Sequence, residues 1–275
     1  MFRQRLIQPV EISGKNYFGL PSKIIIRPRN KPGWYWDVDG KEVPITPNML
    51  QYRKRRVVIV SPDSKTCINV FEHIGVLRAF GIDGITIKTN SWPPYDGCAR
   101  TLLSEIKPFL FTGSQKVEWK TVPHEFVGKY PNPNRYTKIQ PNYQKQLDIT
   151  VVINYQSLGK YKLRFVISDT DNGCVNEDIL SIGSQGWPRN LYYISKIVSF
   201  FGWPHHSSIV WPQENETDET IKQFAKHRML DVLGDFSPLF PKGGMLSATI
   251  TSYCSGHEAD VKAVNYFANK KLICL

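Results

Sequence analysis

The stretch from about Pro123 to Tyr143 constrains the fold of this chain more than any other feature. It holds four prolines, several Asn and Tyr, and little hydrophobic periodicity, which reads as a linker. At 275 residues the chain exceeds the usual single-domain size. The expected division is therefore a first domain over 1–125, a linker over 126–143 and a second domain over 144–275. In the first half, strands are expected over Leu6–Ile12, Lys23–Arg27, Val57–Val60 and Gly84–Thr89. A helix is expected from about Ile68 to Phe80, because Val70, Ile74 and Leu77 recur at i, i+4 and i+7, and Gly81 can cap it. A turn at Trp92 to Gly97 and a second helix over Ala99–Leu110 follow. The second half reads as strands over Leu147–Tyr155 and Lys160–Ser168, a helix near Leu191–Phe200 and a strand over Ser207–Trp211. It continues with a helix over Asp218–Phe236, a strand over Met245–Cys254 and a closing helix from about His257. Each half mixes hairpin strands with helices, which predicts an α+β protein of two layered domains.

Composition removes several classes. Hydrophobic content of 41% with 12% aromatics suffices for a packed core and excludes a disordered chain. No eighteen apolar residues run together; the apolar stretch near Phe200 is interrupted by Gly202 and Pro204, so no membrane span is expected. Arg3, Gln4, Arg5 and Gln8 occupy the place where an export signal needs an apolar run. Five widely spaced cysteines without a Cys-x-x-Cys pair argue for a reducing, cytoplasmic setting and against a structural zinc knuckle. A net charge of +11 attracts anionic partners, whether nucleic acid, phosphorylated small molecules or an acidic membrane face. The run Arg53-Lys54-Arg55-Arg56 fits either a solvated loop or a nucleic-acid patch.

Three short segments could carry chemistry. On the helix over 218–236, His227, Asp231 and Asp235 follow one another at four-residue intervals. At ~100° per residue they project within roughly 80° of one another. An imidazole and two carboxylates thus share one helix face, while Ile221, Phe224, Ala225 and Val232 supply an apolar face. His-x-x-x-Asp on a helix is a metal-chelating spacing, and it is equally the spacing of a surface ion pair. Gly234 sits inside the same helix at a cost of ~1 kcal/mol against Ala, which implies a close backbone neighbour. Glu72 and His73 are adjacent and point ~100° apart, so they can face one cavity in two roles, or form a polar pair at a helix edge. Ser255-Gly256-His257 places a His at a strand end, opening a helix. Cys254 with His257 could also be a two-ligand metal hook, a weak reading without a second Cys pair. His124, His205 and His206 lie in Pro-rich context and are expected on surface loops.

Taken together these segments resemble the family of UDP-3-O-acyl-N-acetylglucosamine deacetylases, zinc amidases that commit the lipid A pathway of Gram-negative bacteria. The match runs in order along nearly the whole chain and is dense at Val70 to Gly97, His227 to Asp235 and Ser255 to His257. The resemblance implies two similar two-layer α/β sandwich domains with the active site between them. It implies Zn2+ held by His73, His227 and Asp231, a general base at Glu72, a general acid or electrostatic histidine at His257, and Asp235 orienting that histidine. The family's oxyanion-stabilising Thr has its best counterpart at Ser184, in Gly183-Ser184-Gln185-Gly186-Trp187, with Trp187 beside the substrate. Arg228 stands where a Lys is usual and is expected to grip phosphate; Cys254 replaces another usual Lys. The implied partner is a UDP-linked acylated amino sugar, handled by a monomer with no nucleic acid, no obligatory protein partner, and at most peripheral contact with the membrane surface. A zinc amidase acting on another N-acylated amino sugar would share every catalytic residue, whereas a non-enzymatic nucleic-acid binder would account for the charge alone.

Overall fold

Alternation of apolar and polar residues along short runs lays down the sheets. The computed structural model describes residues 1–53, 56–94, 99–130, 132, 134–155, 159–170, 180 and 217–275. The expected strand over Leu6–Ile12 is two strands: β1 (Phe2–Leu6) and β2 (Val10–Lys15). Pro9 between them cannot donate to a ladder, and the two strands go to different sheets. β2, β3 (Pro21–Pro28), β4 (Trp34–Val38) and β5 (Lys41–Pro44) belong to a five-stranded sheet. β6 (Leu50–Arg53), β7 (Arg56–Val60) and β8 (Cys67–Asn69) form a three-stranded antiparallel sheet.

The helix expected from Ile68 starts later. Ile68 and Asn69 pair with Ile59 and Val58 of β7, and Val70 takes φ +49° at the exit of the strand. Only then does α1 (Glu72–Gly75) begin, tightening into a 3-10 turn over Val76–Phe80 that ends at Gly81, in the left-handed region at φ 74°. β9 (Ile85–Thr89) completes the five-stranded sheet between β3 and β4. α2 (Arg100–Ile106) stops in a 3-10 turn containing Pro108, and β10 (Leu110–Lys116) returns to pair with β1.

The second half is organised on one seven-stranded sheet, which takes β11 (Trp119–Thr121) from inside the first 125 residues. The stretch expected as a linker is part of this sheet, as β12 (Phe126–Lys129) and β13 (Tyr136–Pro141). Thr137 and Ile139 are the buried positions of β13. Half of that inward pair is polar, so the alternation did not register as a hydrophobic period. β14 (Gln146–Tyr155) and β15 (Gly159–Ser168) form the expected hairpin. The remaining elements are α3 (Thr217–Asp235), β16 (Met245–Tyr253), α4 (His257–Ala268) and β17 (Ile273–Cys274). β16 runs through the middle, antiparallel to β13 and parallel to β11 and β14. The helix and strand expected over 191–211 lie outside the described residues.

The architecture is α+β, with sheets in both halves and few helices among the described residues. One cluster of buried apolar residues runs through both halves, from Met1 and Ile26 to Phe267. Among the described residues, no helix is long and apolar enough to cross a membrane.

Candidate active site

α3 carries almost no amphipathic pattern because every residue from His227 to Phe240 is buried. The face bearing His227, Asp231 and Asp235 is therefore turned inward, and the surface-pair alternative does not hold: the three residues are 5%, 1% and 0% exposed. What covers them is α1. A Cβ at Gly234 would stand 2.1 Å from the carbonyl oxygen of Glu72, and a Cβ at Gly75 would stand 2.5 Å from that of Gly234. The close neighbour implied by a mid-helix glycine is thus the start of α1 itself. Absence of two side chains lets the backbones touch, and Glu72 and His73 are pressed against the polar face of α3.

The site closes from a third side at α4. His257 Nδ1 is 2.8 Å from Asp235 Oδ2. Its Nε2 lies 3.7 Å from Asp231 Oδ2 and 3.9 Å from Glu72 Oε1. His227 Nε2 is 3.4 Å from Asp231 Oδ1, and the His73 and His227 rings are 6.2 Å apart. Glu72, His73, His227, Asp231, Asp235 and His257 are therefore brought together from three elements. Ser184 and Trp187 lie outside the described residues, as do His205 and His206. His124 is exposed and meets the Tyr266 hydroxyl, remote from this cluster.

Arg228 departs from expectation. Its side chain is 1% exposed, too deep to grip the phosphates of a ligand. Nε donates to Ser252 Oγ at 2.9 Å, Nη2 donates to Ser255 Oγ at 3.1 Å, and Nη2 also binds Asp260. One residue along from His227, the guanidinium leaves the helix ~100° away and meets β16 and α4 instead. Cys254 is also buried, at φ +42°, with Sγ accepting from the Asn154 amide. Its side chain faces β14 and is no metal hook with His257.

Burial and charge set the titrations. Burial pushes the Glu72 carboxyl up to about 7, only partly opposed by the His257 charge. Burial likewise raises Asp231, yet His227, His257 and Arg228 outweigh it and hold the carboxyl below its ordinary value. Burial lowers the His227 pKa, opposed only in part by Asp231. For His257 burial opposes protonation, but Asp235, Asp231 and Glu72 lift the imidazole well above its ordinary value. The two imidazoles are thus driven in opposite directions, His257 up and His227 down, beside a carboxyl raised to about 7.

Among the described residues, no group of three His, Cys, Asp or Glu side chains is arranged to hold a metal ion as it stands. The donor chemistry nevertheless fits one. Asp231 Oδ1 and Glu72 Oε2 are buried without a hydrogen-bond partner, each at a cost of ~1–3 kcal/mol, and His227 turns Nε2 toward Asp231 Oδ1 at 3.4 Å. Two imidazoles and a carboxylate are a donor set of catalytic zinc.

Three contributors escaped the sequence reading. Asp260 is wholly buried against Arg228, Thr137 donates to Asp260 at 2.6 Å, and Ser252 accepts from Arg228 Nε at 2.9 Å. Asp260 had a signal: it lies on the apolar stripe of α4 with Ala263, Val264 and Phe267, a charge at a core position.

The model of the UDP-3-O-acyl N-acetylglycosamine deacetylase family matches residues 3–269, nearly the whole chain. The chain belongs to this family. It is similar to the UDP-3-O-acyl-N-acetylglucosamine deacetylase of Nautilia profundicola, 24% identical over 98% of this chain and 92% of that protein. It is also similar to two enzymes of that name from Helicobacter pylori strains. These are 26% and 24% identical, each over 90% of this chain and 85% of its own length.

Proposed function

We propose that this chain is a zinc-dependent amide hydrolase that removes the N-acetyl group from UDP-3-O-acyl-N-acetylglucosamine in lipid A biosynthesis. The observation that carries the reading is the convergence of His73, His227, Asp231, Glu72 and His257 from α1, α3 and α4 on one buried spot. Membership of the deacetylase family supports the reaction and substrate class. Among the described residues Cys67, Cys254 and Cys274 are free thiols, which supports a reducing, cytoplasmic setting.

In this reading His73, His227 and Asp231 hold the zinc ion. Bound there, zinc supplies Lewis acidity, polarising the amide carbonyl and making water a better acid. Glu72, with a pKa of about 7, takes the proton from water as its oxygen adds to the carbonyl carbon. His257 stays cationic and faces the developing negative charge, a preorganised contribution of ~3 kcal/mol. As the C–N bond breaks, His257 gives its proton to the leaving nitrogen, and acetate and a free amine result. Asp235 holds the imidazole by its Nδ1 and keeps it charged. Ser184 is the further hydroxyl donor to the oxyanion.

Metal analysis of the purified protein, joined to deacetylation assays on UDP-linked and unlinked N-acetyl sugars, tests the reading. One zinc per chain with turnover of the UDP-linked sugar is expected. Turnover of unlinked sugars alone would instead favour an amidase for another amino sugar.

A further inference from the structure

We propose that Asp260 is a positioning residue for the metal site: it draws the Arg228 guanidinium off Asp231 and so leaves that carboxylate free to hold a cation. The inference rests on the zinc reading above and adds to it a residue and a mechanism of control. Arg228 sits between two carboxylates. Its Nη1 is 3.7 Å from Asp231 Oδ2, while its Nη2 is bound directly to Asp260. All three side chains are at most 2% exposed, so water screens none of these charges.

The pairing on the Asp260 side is well built. Asp260 Oδ1 accepts from Thr137 Oγ1 at 2.6 Å, and the guanidinium is further fixed by Ser252 and Ser255. On the Asp231 side the contact is looser, and Nη1 has no hydrogen-bond partner. A guanidinium bonded to Asp231 would compete with any cation for the same oxygen lone pairs. With Nη2 held by Asp260, Arg228 instead stands beside Asp231 without capping it. Ser252 and Ser255 also flank the Tyr253-Cys254 exit of β16, so the same pair anchors the backbone leading to His257.

The placement explains why an arginine next to a ligand histidine is buried rather than presented to substrate. It also makes Arg228 and Asp260 a matched pair, in which losing the anion alone should be worse than losing both charges.

The test measures zinc affinity with zinc alone, by competition against a fluorescent chelator, with circular dichroism as a check on folding. Asp260→Asn keeps the side-chain shape and strands the guanidinium beside Asp231. Zinc affinity should fall by ~10–100-fold, the range for residues supporting a metal ligand. In the double variant Arg228→Gln with Asp260→Asn, both charges go, and affinity should return to within about threefold of the wild type. A purely structural role would leave the double variant at least as impaired as the single one. If the wild type binds one zinc and Asp260→Asn binds it equally well, the inference falls while the functional reading stands. A wild type that binds no zinc overturns the reading itself. If Asp260→Asn does not fold, the double variant decides: affinity equal to or tighter than wild type supports the proposal, and a loss of tenfold or more overturns it.

Discussion

Replacing Gly234 by Ala sets two physical effects of opposite sign against each other. On helix propensity alone the change should stabilise α3 by up to ~1 kcal/mol. The structure predicts the reverse. The new Cβ would stand 2.1 Å from the Glu72 carbonyl oxygen and 2.6 Å from its Cα, against an ordinary contact of 3.4 Å or more. α1 must therefore withdraw by roughly 1.3 Å, because the obstructing atoms are backbone and cannot rotate aside. Overpacking of this kind costs ~1–3 kcal/mol, and a rigid obstacle belongs at the upper end. Net destabilisation should be ~2 kcal/mol, a fall in Tm of roughly 4–8 °C for a chain of this size. The catalytic consequence is larger. Glu72 and His73 ride on α1, and a displacement of about 1 Å at a reacting group costs ~10²-fold. Thermal melts and steady-state deacetylation of the UDP-linked sugar read both effects. A Gly234→Ala variant with native kcat and an equal or higher Tm would refute the argument that this glycine exists to admit α1.

The other predictions follow from the same geometry. His227→Ala should lose zinc and activity together; stoichiometric zinc in the variant would show the ligand assignment to be wrong. Glu72→Gln should keep the fold and the metal while kcat drops by ~10²–10⁴, and near-native turnover would remove Glu72 as the base. Because Glu72 must be ionised to accept a proton and its pKa is raised to about 7, kcat/KM should decline as pH falls through about 7. Asp235→Asn removes a charge that raises the His257 pKa, so the alkaline limb, where His257 loses its proton, should move to lower pH. An unmoved limb would mean that Asp235 does not tune this histidine.

Much of the site was legible in the chain because its spacing is local. His227, Asp231 and Asp235 share a face through helix geometry alone, and α3 and β16 lie within a residue or two of their expected bounds. Legibility failed where polar residues occupy inward positions. Thr137 hid β13, so a proline-bearing stretch that looked like a linker is sheet. The start of α1 was misplaced because Ile68 and Asn69 answer to the register of β7 rather than to helical periodicity.

The sequence by itself determined which groups are available and which share a helix turn, since covalent geometry carries that information over four or eight residues. It also determined that something must lie against Gly234. Only the tertiary structure decided that this neighbour is Glu72, that the polar face of α3 is buried, and that Arg228 belongs to Asp260, 32 residues away, rather than to a ligand's phosphate. A guanidinium can answer a phosphate, a carboxylate or water equally well by its chemistry. Which one it meets depends on how β16 and α4 pack over α3, and no local pattern encodes that packing.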